Sequence, residues 1–133
     1  MIFIDTSAII AILTEEPEAS ALTAKIQAER DRICGPHVIL EASMRLSTLS
    51  GMAPTAADAE VTRALHAANV AIVPISEEVA HVAVAAFERY GKGRKNRAGL
   101  NFGDCLSYAC AKAHGARLLF KGGDFAHTDI ARA

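Results

Sequence analysis

The feature that most constrains the fold is the alternation of very short apolar runs with longer segments of helical character. Residues 2–4 form the first such run, and Asp5-Thr6-Ser7 stop it with residue types that favour helix N-caps. Three further runs are strand candidates: residues 32–35, 71–75 and 117–120. Strands that alternate with helices in this way predict an α/β fold, with a parallel sheet covered by helices on both faces.

The segments between these runs carry residue types that begin and end helices. The predicted helices cover residues 7–13, 17–30, 37–50, 54–68, 76–90 and 103–114. Pro54-Thr55 followed by Asp58 resembles a capping box, and Ser76 before two glutamates predicts another capped start. In the third helix, four apolar side chains are expected in the interior: Val38, Leu40, Met44 and Leu46.

Composition limits the class of protein. With 133 residues, 51% of them hydrophobic, the chain can bury a core as one domain over residues 1–133 without disulfides. The three cysteines lack zinc-ligand spacing, so we expect them to be reduced in a cytoplasmic protein. No run is long and apolar enough to predict a membrane anchor. A net charge of −1 means that any nucleic-acid contact is expected to be local.

Four acidic residues lie far apart in the sequence but near predicted strand ends or the helices after strands. They are Asp5, Glu41, Asp104 and Asp124. In an open parallel sheet ligands bind at the carboxyl edge, so we expect these carboxylates to converge there. Crowded carboxylates repel one another unless they are protonated or share a cation, and oxygen ligands select Mg²⁺ or Mn²⁺. The pattern therefore predicts a metal site.

Each of these acids also has a purely structural interpretation. Asp5 can cap the helix after the first strand, and Glu41 can pair with Arg45 one helical turn further on. Asp104 lies in a first helical turn, where the helix dipole favours a carboxylate, and Asp124 follows two glycines in a predicted turn. For any one of them alone, the structural interpretation is the more common.

The sequence around the acids favours the functional interpretation over the structural one. Four segments matter: residues 3–8 (FIDTSA), Glu41-Ala42, residues 100–105 (LNFGDC) and residues 118–125 (LLFKGGDF). In this order, over nearly the whole chain, they resemble the PIN-domain nucleases. Residues 101–104 and 124–129 resemble the late motifs of VapC-like toxins within that family. The resemblance implies a three-layer fold, with a parallel central sheet of about four to five strands flanked by helices.

The resemblance also implies a catalytic role for each acid. Asp5 and Asp104 would hold the metal directly, and Glu41 would complete the cluster, directly or through water. Family members often carry an acid two positions before Asp124, where this chain has Gly122, so Asp124 is expected to substitute for it or to act from outside the ligand sphere. The implied activity is that of a Mg²⁺-dependent endoribonuclease, with Mn²⁺ as a substitute, in which a metal-activated water attacks the RNA phosphodiester.

Hydroxyl and basic side chains complete the expected site. Thr6 and Ser7 resemble the hydroxyls beside the family's first acid, which orient a water or a phosphate, although helix capping explains them equally well. The loop before Asp104 carries four basic side chains that we expect to contact RNA phosphates: Lys92, Arg94, Lys95 and Arg97. The five histidines have no metal-binding spacing and are expected at the surface or at helix ends.

The resemblance further implies protein partners. It predicts a VapB-like antitoxin, toxin homodimers and a higher toxin–antitoxin assembly. Apolar helix faces in the first third are candidates for the antitoxin interface or, equally, for the core: Ile9, Ile12, Leu13 and Leu22. The alternative function is a non-catalytic α/β module that binds a nucleotide or a protein. In this chain, residues 91–96 come nearest to the glycine-rich fingerprint of nucleotide-binding folds. They lack its third glycine, and they follow a helical pattern where the fingerprint follows a strand.

Overall fold

The structure, a computed structural model, describes residues 1–133 and consists of a four-stranded sheet and six helices. The strands are β1 (Ile2–Ile4), β2 (Arg32–Cys34), β3 (Ala71–Ile72) and β4 (Arg117–Leu119). The helices are α1 (Thr6–Leu13), α2 (Ala19–Ala28), α3 (Pro36–Ser50), α4 (Pro54–Ala67), α5 (Glu77–Tyr90) and α6 (Phe102–Ala113). The predicted α/β class and the parallel central sheet flanked by helices are confirmed.

The strand order creates a binding crevice beside β1. The order is β3-β2-β1-β4, and every pair is parallel. The chain moves outward from β1 to β3 and then returns to the other side of β1 for β4, where Leu119 lies opposite Ile4. The direction of winding therefore reverses between β1 and β4, and the carboxyl ends of two such strands form the usual ligand-binding crevice of open α/β sheets.

The helices form two groups on opposite faces of the sheet. Because parallel crossovers are right-handed, α1 to α4, in the outward connections, cover one face, and α5 and α6, in the returning connection, cover the other. The packing agrees, since α3 contacts α1 and α4, while α5 packs on α6. The N-terminal end of α6 precedes β4 and lies at the carboxyl edge of the sheet, where α6 also contacts α3.

The helix α3 buries a narrower face than its sequence predicts. Val38, Ala42 and Leu46 are buried at four-residue spacing, whereas Leu40 and Met44 are 64% and 60% exposed. A residue two positions from the buried row is about 200° around the helix, so it points to the opposite side. The prediction that Leu40 and Met44 lie in the interior is therefore wrong.

Two other local predictions are wrong. The helix α4 has no side-chain cap: Ala53 is its N-cap, and Asp58 accepts a hydrogen bond from the Thr62 hydroxyl (3.3 Å) instead. Pro54 at the first position has no N–H to satisfy, so this start requires one partner fewer. Residues 71–75 were predicted to be a buried strand, but β3 covers two exposed residues at the edge of the sheet.

The core is one continuous cluster around the sheet. All three residues of β1 are fully buried, because helices cover both faces and strands flank both sides. The three cysteines are free and buried: Cys34, Cys105 and Cys110. None of the six helices is both long and apolar enough to cross a membrane.

Candidate active site

Asp5 follows the last residue of β1 and is the N-cap of α1. Its Oδ2 accepts hydrogen bonds from the Ser7 backbone N–H (3.0 Å) and the Ser7 hydroxyl (2.6 Å). The Ser7 hydroxyl oxygen accepts a further bond from the backbone N–H of Lys121, just after β4 (3.0 Å). These bonds tie together the carboxyl ends of β1 and β4. The capping role proposed for Asp5 and its position at the sheet edge are both present.

Asp104 lies in the first turn of α6 and closes a capping box with Asn101. The Asn101 side-chain oxygen accepts from the Asp104 N–H (2.9 Å), and Asp104 Oδ2 accepts from the Asn101 N–H (3.0 Å). Burial raises the pKa of Asp104 to about 7, although the Asn101 N–H opposes the shift. Three further carboxylates also raise it: Asp5, Asp124 and Glu41. The four acids therefore share one electrostatic environment.

Glu41 reaches the same region from α3. Its carboxylate lies against the backbone of Gly103, the residue before Asp104, and a Cβ at position 103 would collide with Glu41 Oε2. Only glycine permits this close approach without moving the glutamate. Gly103 thus brings the first turn of α6 and the Glu41 carboxylate together.

Asp124 lies at the exposed end of the site, after the Gly122-Gly123 turn. Gly122 has a φ of +93°, a conformation that side chains rarely adopt. An acid at position 122 would therefore be strained in this backbone, which explains the glycine there in physical terms. Asp124 is exposed, in contrast to Asp5 and Asp104, which are buried.

The four acids line one cavity of about 450 Å³, the acidic cavity, at the point where the strand order reverses. Its lining comprises Asp5, Thr6, Ser7, Ile10, Glu16, Glu41, Arg45, Asn101, Asp104, Lys121, Gly122 and Asp124. The structure thus brings together every acid and hydroxyl residue singled out from the sequence.

The donor groups around the acidic cavity suit a hard divalent cation. Carboxylate and hydroxyl oxygens line it, with no His or Cys. The Thr6 hydroxyl oxygen is buried without a hydrogen-bond partner and is therefore available to a ligand. In this arrangement no three acidic, His or Cys side chains are close enough to one point to hold an ion. Asp5 and Asp104 are instead turned toward their helix-cap partners.

The basic loop lies outside the acidic cavity. Its four basic side chains are exposed and none lines the cavity: Lys92, Arg94, Lys95 and Arg97. The Arg94 guanidinium lies 5.1 Å from the centroid of the Phe87 ring, and the Asn96 side chain makes three hydrogen bonds to the loop backbone. The loop follows α5 and not a strand, so residues 91–96 lack the context of a nucleotide-binding fingerprint.

Sequence reasoning missed the two basic residues of the acidic cavity, Arg45 and Lys121. Arg45 was considered only as a partner that would leave Glu41 on a solvated helix surface. The four-residue spacing of His37, Glu41 and Arg45 places all three on one face of α3, and this signal was available.

His37 lies in the first turn of α3, at a helix end as predicted, and its side chain is partly buried. Its ring stacks on Phe3 at 6.0 Å, and its Nε2 lies 3.0 Å from the Ser107 hydroxyl. Burial lowers the pKa of His37 to about 4. The contact joins α3, one turn before Glu41, to α6, one turn after Asp104. The other four histidines are exposed: His66, His81, His114 and His127.

Comparisons with known proteins agree with this architecture. A family model described as the PIN domain matches residues 2–131. Ribonuclease VapC30 of Mycobacterium tuberculosis is 44% identical over 128 residues, which is 96% of this chain and 95% of that protein. Among solved structures, Mycobacterium tuberculosis VapC20, described as a Sarcin-Ricin loop cleaving toxin, matches with a TM-score of 0.78 at 17% identity, covering 100% of this chain and 98% of that one. A toxin–antitoxin complex from Klebsiella pneumoniae matches with a TM-score of 0.71 at 19% identity, covering 97% of this chain and 93% of that one.

Proposed function

The chain belongs to the PIN-domain family and, within it, to the VapC ribonucleases, and from this membership we propose that it is the toxin of a VapBC-type pair. In this role it is a metal-dependent endoribonuclease that hydrolyses RNA phosphodiester bonds. The observation that supports this function most strongly is the gathering of four acids in one cavity beside β1 and β4. Ligands bind at this position in open α/β sheets.

We propose Asp5, Asp104 and Glu41 as ligands of the divalent ion, Mg²⁺ with Mn²⁺ as a substitute. A divalent ion held by these carboxylates would lower the pKa of a bound water and would offset negative charge on the phosphate. The raised pKa of Asp104 supports the assignment, because a carboxyl group that is costly to ionise among other acids ionises readily beside a cation.

The remaining residues hold these ligands and receive the substrate. The Ser7 hydroxyl already donates to Asp5 and accepts from Lys121, so its role is to position Asp5. The unpartnered Thr6 hydroxyl is free to bind a water or a phosphate oxygen. Asp124, exposed at the rim, acts from outside the ligand set and orients the incoming water. The basic loop guides the RNA chain beyond the cavity.

Cleavage of a mixed RNA pool tests this function. The purified chain, freed of any partner, should cut RNA in Mg²⁺ and should stop in EDTA. Asp5→Asn should lower the cleavage rate by a factor on the order of 100 or more, because it removes a charged ligand from the reacting site. Asp58→Asn, which changes an exposed acid on α4, is the matched control and should cut at the normal rate. The proposal fails if the folded chain cuts nothing, or if Asp5→Asn cuts as well as the control.

Exposed apolar side chains next to the acidic cavity support an antitoxin partner. A neighbouring cavity of about 500 Å³ shares Glu41 and Arg45 with it. Four large exposed apolar residues line this second cavity: Leu40, Met44, Leu49 and Phe102. Clusters of this kind mark interaction sites. We place a VapB-like antitoxin here, where it would also cover the entrance to the acids.

The apolar positions considered from the sequence belong to the core instead. Ile9 and Leu22 are buried, and Ile12 and Leu13 pack against the core from partly buried positions.

Because Leu40 lines the proposed antitoxin surface, Leu40→Asp should reduce capture of the antitoxin. Val84→Asp, at an equally exposed site on α5, is the control. Equal capture by both variants would place the antitoxin elsewhere.

Homodimers and a larger toxin–antitoxin assembly are predictions for this chain. Light scattering on the toxin alone and with its antitoxin tests them. An RNA substrate and an antitoxin partner place the proposed activity in the cytoplasm, in agreement with three free cysteines.

A further inference from the structure

Two basic side chains lie among the acids of the acidic cavity. Arg45, on α3, and Lys121, after β4, line it together with five carboxylates. The carboxylates repel a phosphate that enters this cavity, so its oxygens require cationic contacts close by. The basic loop does not supply them, since none of its side chains lines the cavity. Arg45 and Lys121 are thus the cations in position to meet a phosphate there.

Lys121 has a fixed backbone and an accessible side chain. Its N–H donates to the Ser7 hydroxyl oxygen, which anchors residue 121 to the bond network around Asp5. Its ammonium forms ion pairs with Glu16 and, at 3.3 Å, with Glu18. The side chain is 35% exposed, so the ammonium can exchange one anionic partner for another.

Glu16 forms an ion pair with Lys121 and is also influenced by the charge of Arg45. The hydrogen bond from Lys121 lowers the pKa of Glu16, and the positive charge of Arg45 lowers it further. The Thr14 hydroxyl also donates to Glu16 (3.4 Å), and the Glu16 N–H is bonded to the Ala11 carbonyl (2.9 Å). An ionised carboxylate is thus paired with Lys121 at the edge of the site and lies within the electrostatic influence of Arg45.

We propose that Lys121 and Arg45 bind the RNA phosphate group at the scissile bond, and that Glu16 occupies this phosphate site in the free protein as an internal competitor. The inference rests on the proposed ribonuclease function and adds to it the residues that receive the substrate backbone. RNA binding exchanges the Lys121–Glu16 ion pair for a Lys121–phosphate contact, and Glu16 then turns to solvent.

Binding of a labelled, mixed-sequence single-stranded RNA to the non-cleaving Asp5→Asn protein tests the inference in Mg²⁺. Lys121→Met should weaken binding about ten-fold, because a charge-assisted hydrogen bond is lost. It should also reduce the slope of log affinity against log salt by about 0.7, the value for one contact to a single strand. Lys121→Arg keeps the charge and should retain most of the affinity. Lys25→Met on α2, outside the cavity, is the matched control.

Glu16→Gln gives the more discriminating result. It should tighten binding about three-fold, since it removes the competitor of the phosphate. Glu15→Gln removes the same charge from the neighbouring exposed residue, which contacts neither cation, and should change binding less. In the Lys121→Met background Glu16→Gln should have little effect, because the pair is already broken.

The results separate this inference from the proposed function. If the wild-type chain cuts RNA but Lys121→Met binds no more weakly than Lys25→Met, the phosphate site is wrong and the nuclease assignment stands. Weaker binding in the Glu16→Gln protein overturns the role of Glu16. If the wild-type chain cuts no RNA, the proposed function itself fails. Thermal melting of each variant confirms that it is folded.

Discussion

Asp104 meets two structural requirements that conflict. As the third residue of α6 it caps the helix through Asn101, yet burial and three nearby carboxylates make its ionised form costly. A residue selected for stability alone would be a neutral capping residue. The cost is understandable if this carboxylate binds a cation, since sites that bind ligands often sacrifice stability.

Asp104→Asn should therefore separate activity from stability. The asparagine oxygen can still accept the Asn101 N–H, but the repelled charge is removed. RNA cleavage should fall by a factor on the order of 100 or more. At pH 8 without metal, the melting temperature should rise by a few degrees, equivalent to about 1 kcal/mol. A variant that melts lower than the wild type would contradict the electrostatic interpretation of Asp104.

The acids could be predicted from the sequence because motifs place them at strand ends and helix starts. The contacts between distant residues could not. His37 and Ser107 lie 70 positions apart, and nothing local indicates that an imidazole nitrogen of one meets the hydroxyl of the other. The same is true of Lys121, whose contact with Glu16 depends on how the loop after α1 lies against the end of β4.

The meeting of α3 and α6 sets the shape of the site at the level of elements. Gly103→Ala adds a Cβ that would collide with Glu41 Oε2, so the glutamate or the first turn of α6 must move. Because Glu41 is a proposed ligand of the ion, displacing its carboxylate should lower cleavage about ten-fold or more. Gly123→Ala adds the same atom in open space and should have little effect. The contact is unimportant for catalysis if both variants cut equally well, and circular dichroism confirms the fold of each.

The boundaries of the elements were more predictable than their environment. Ser76 caps α5 as predicted, because its hydroxyl meets a local backbone N–H (Val79, 3.2 Å). The exposure of Leu40 and Met44 depends instead on which side of α3 the sheet and α4 cover. The strand β3 is exposed because it lies at the edge of the sheet. Its position in the strand order is not encoded within its own few residues.

In the whole molecule, a buried carboxyl group and a partly buried imidazole give opposite dependences of stability on pH. The pKa of Asp104 is raised from 3.8 to about 7 in the folded state, so the folded protein binds more protons between these values. Its contribution to the free energy of unfolding is therefore lost as the pH rises from about 4 to 7. The pKa of His37 is lowered from 6.5 to about 4, so its contribution is lost as the pH falls through that range.

We expect these two effects to offset each other in the metal-free wild-type chain between about pH 4 and pH 6.5. In Asp104→Asn the histidine effect is unmasked, and stability should rise with pH across this range. In His37→Gln the carboxyl effect is unmasked, and stability should fall toward pH 7. Urea unfolding at several pH values measures both trends. Parallel pH profiles for the two variants would contradict the opposite signs.

Mn²⁺ titration followed by amide NMR tests most directly whether Asp5, Asp104 and Glu41 hold one divalent ion, with Asp124 beside it. Bound Mn²⁺ broadens the signals of nearby nuclei. We expect the first signals lost to be those of residues 5–7, 41, 103–104 and 123–124, with Mg²⁺ in excess restoring them. Asp5→Asn should weaken this effect markedly. Broadening that begins instead at exposed acids such as Glu77 and Glu78, and is unchanged in Asp5→Asn, would contradict the metal site and the function built on it.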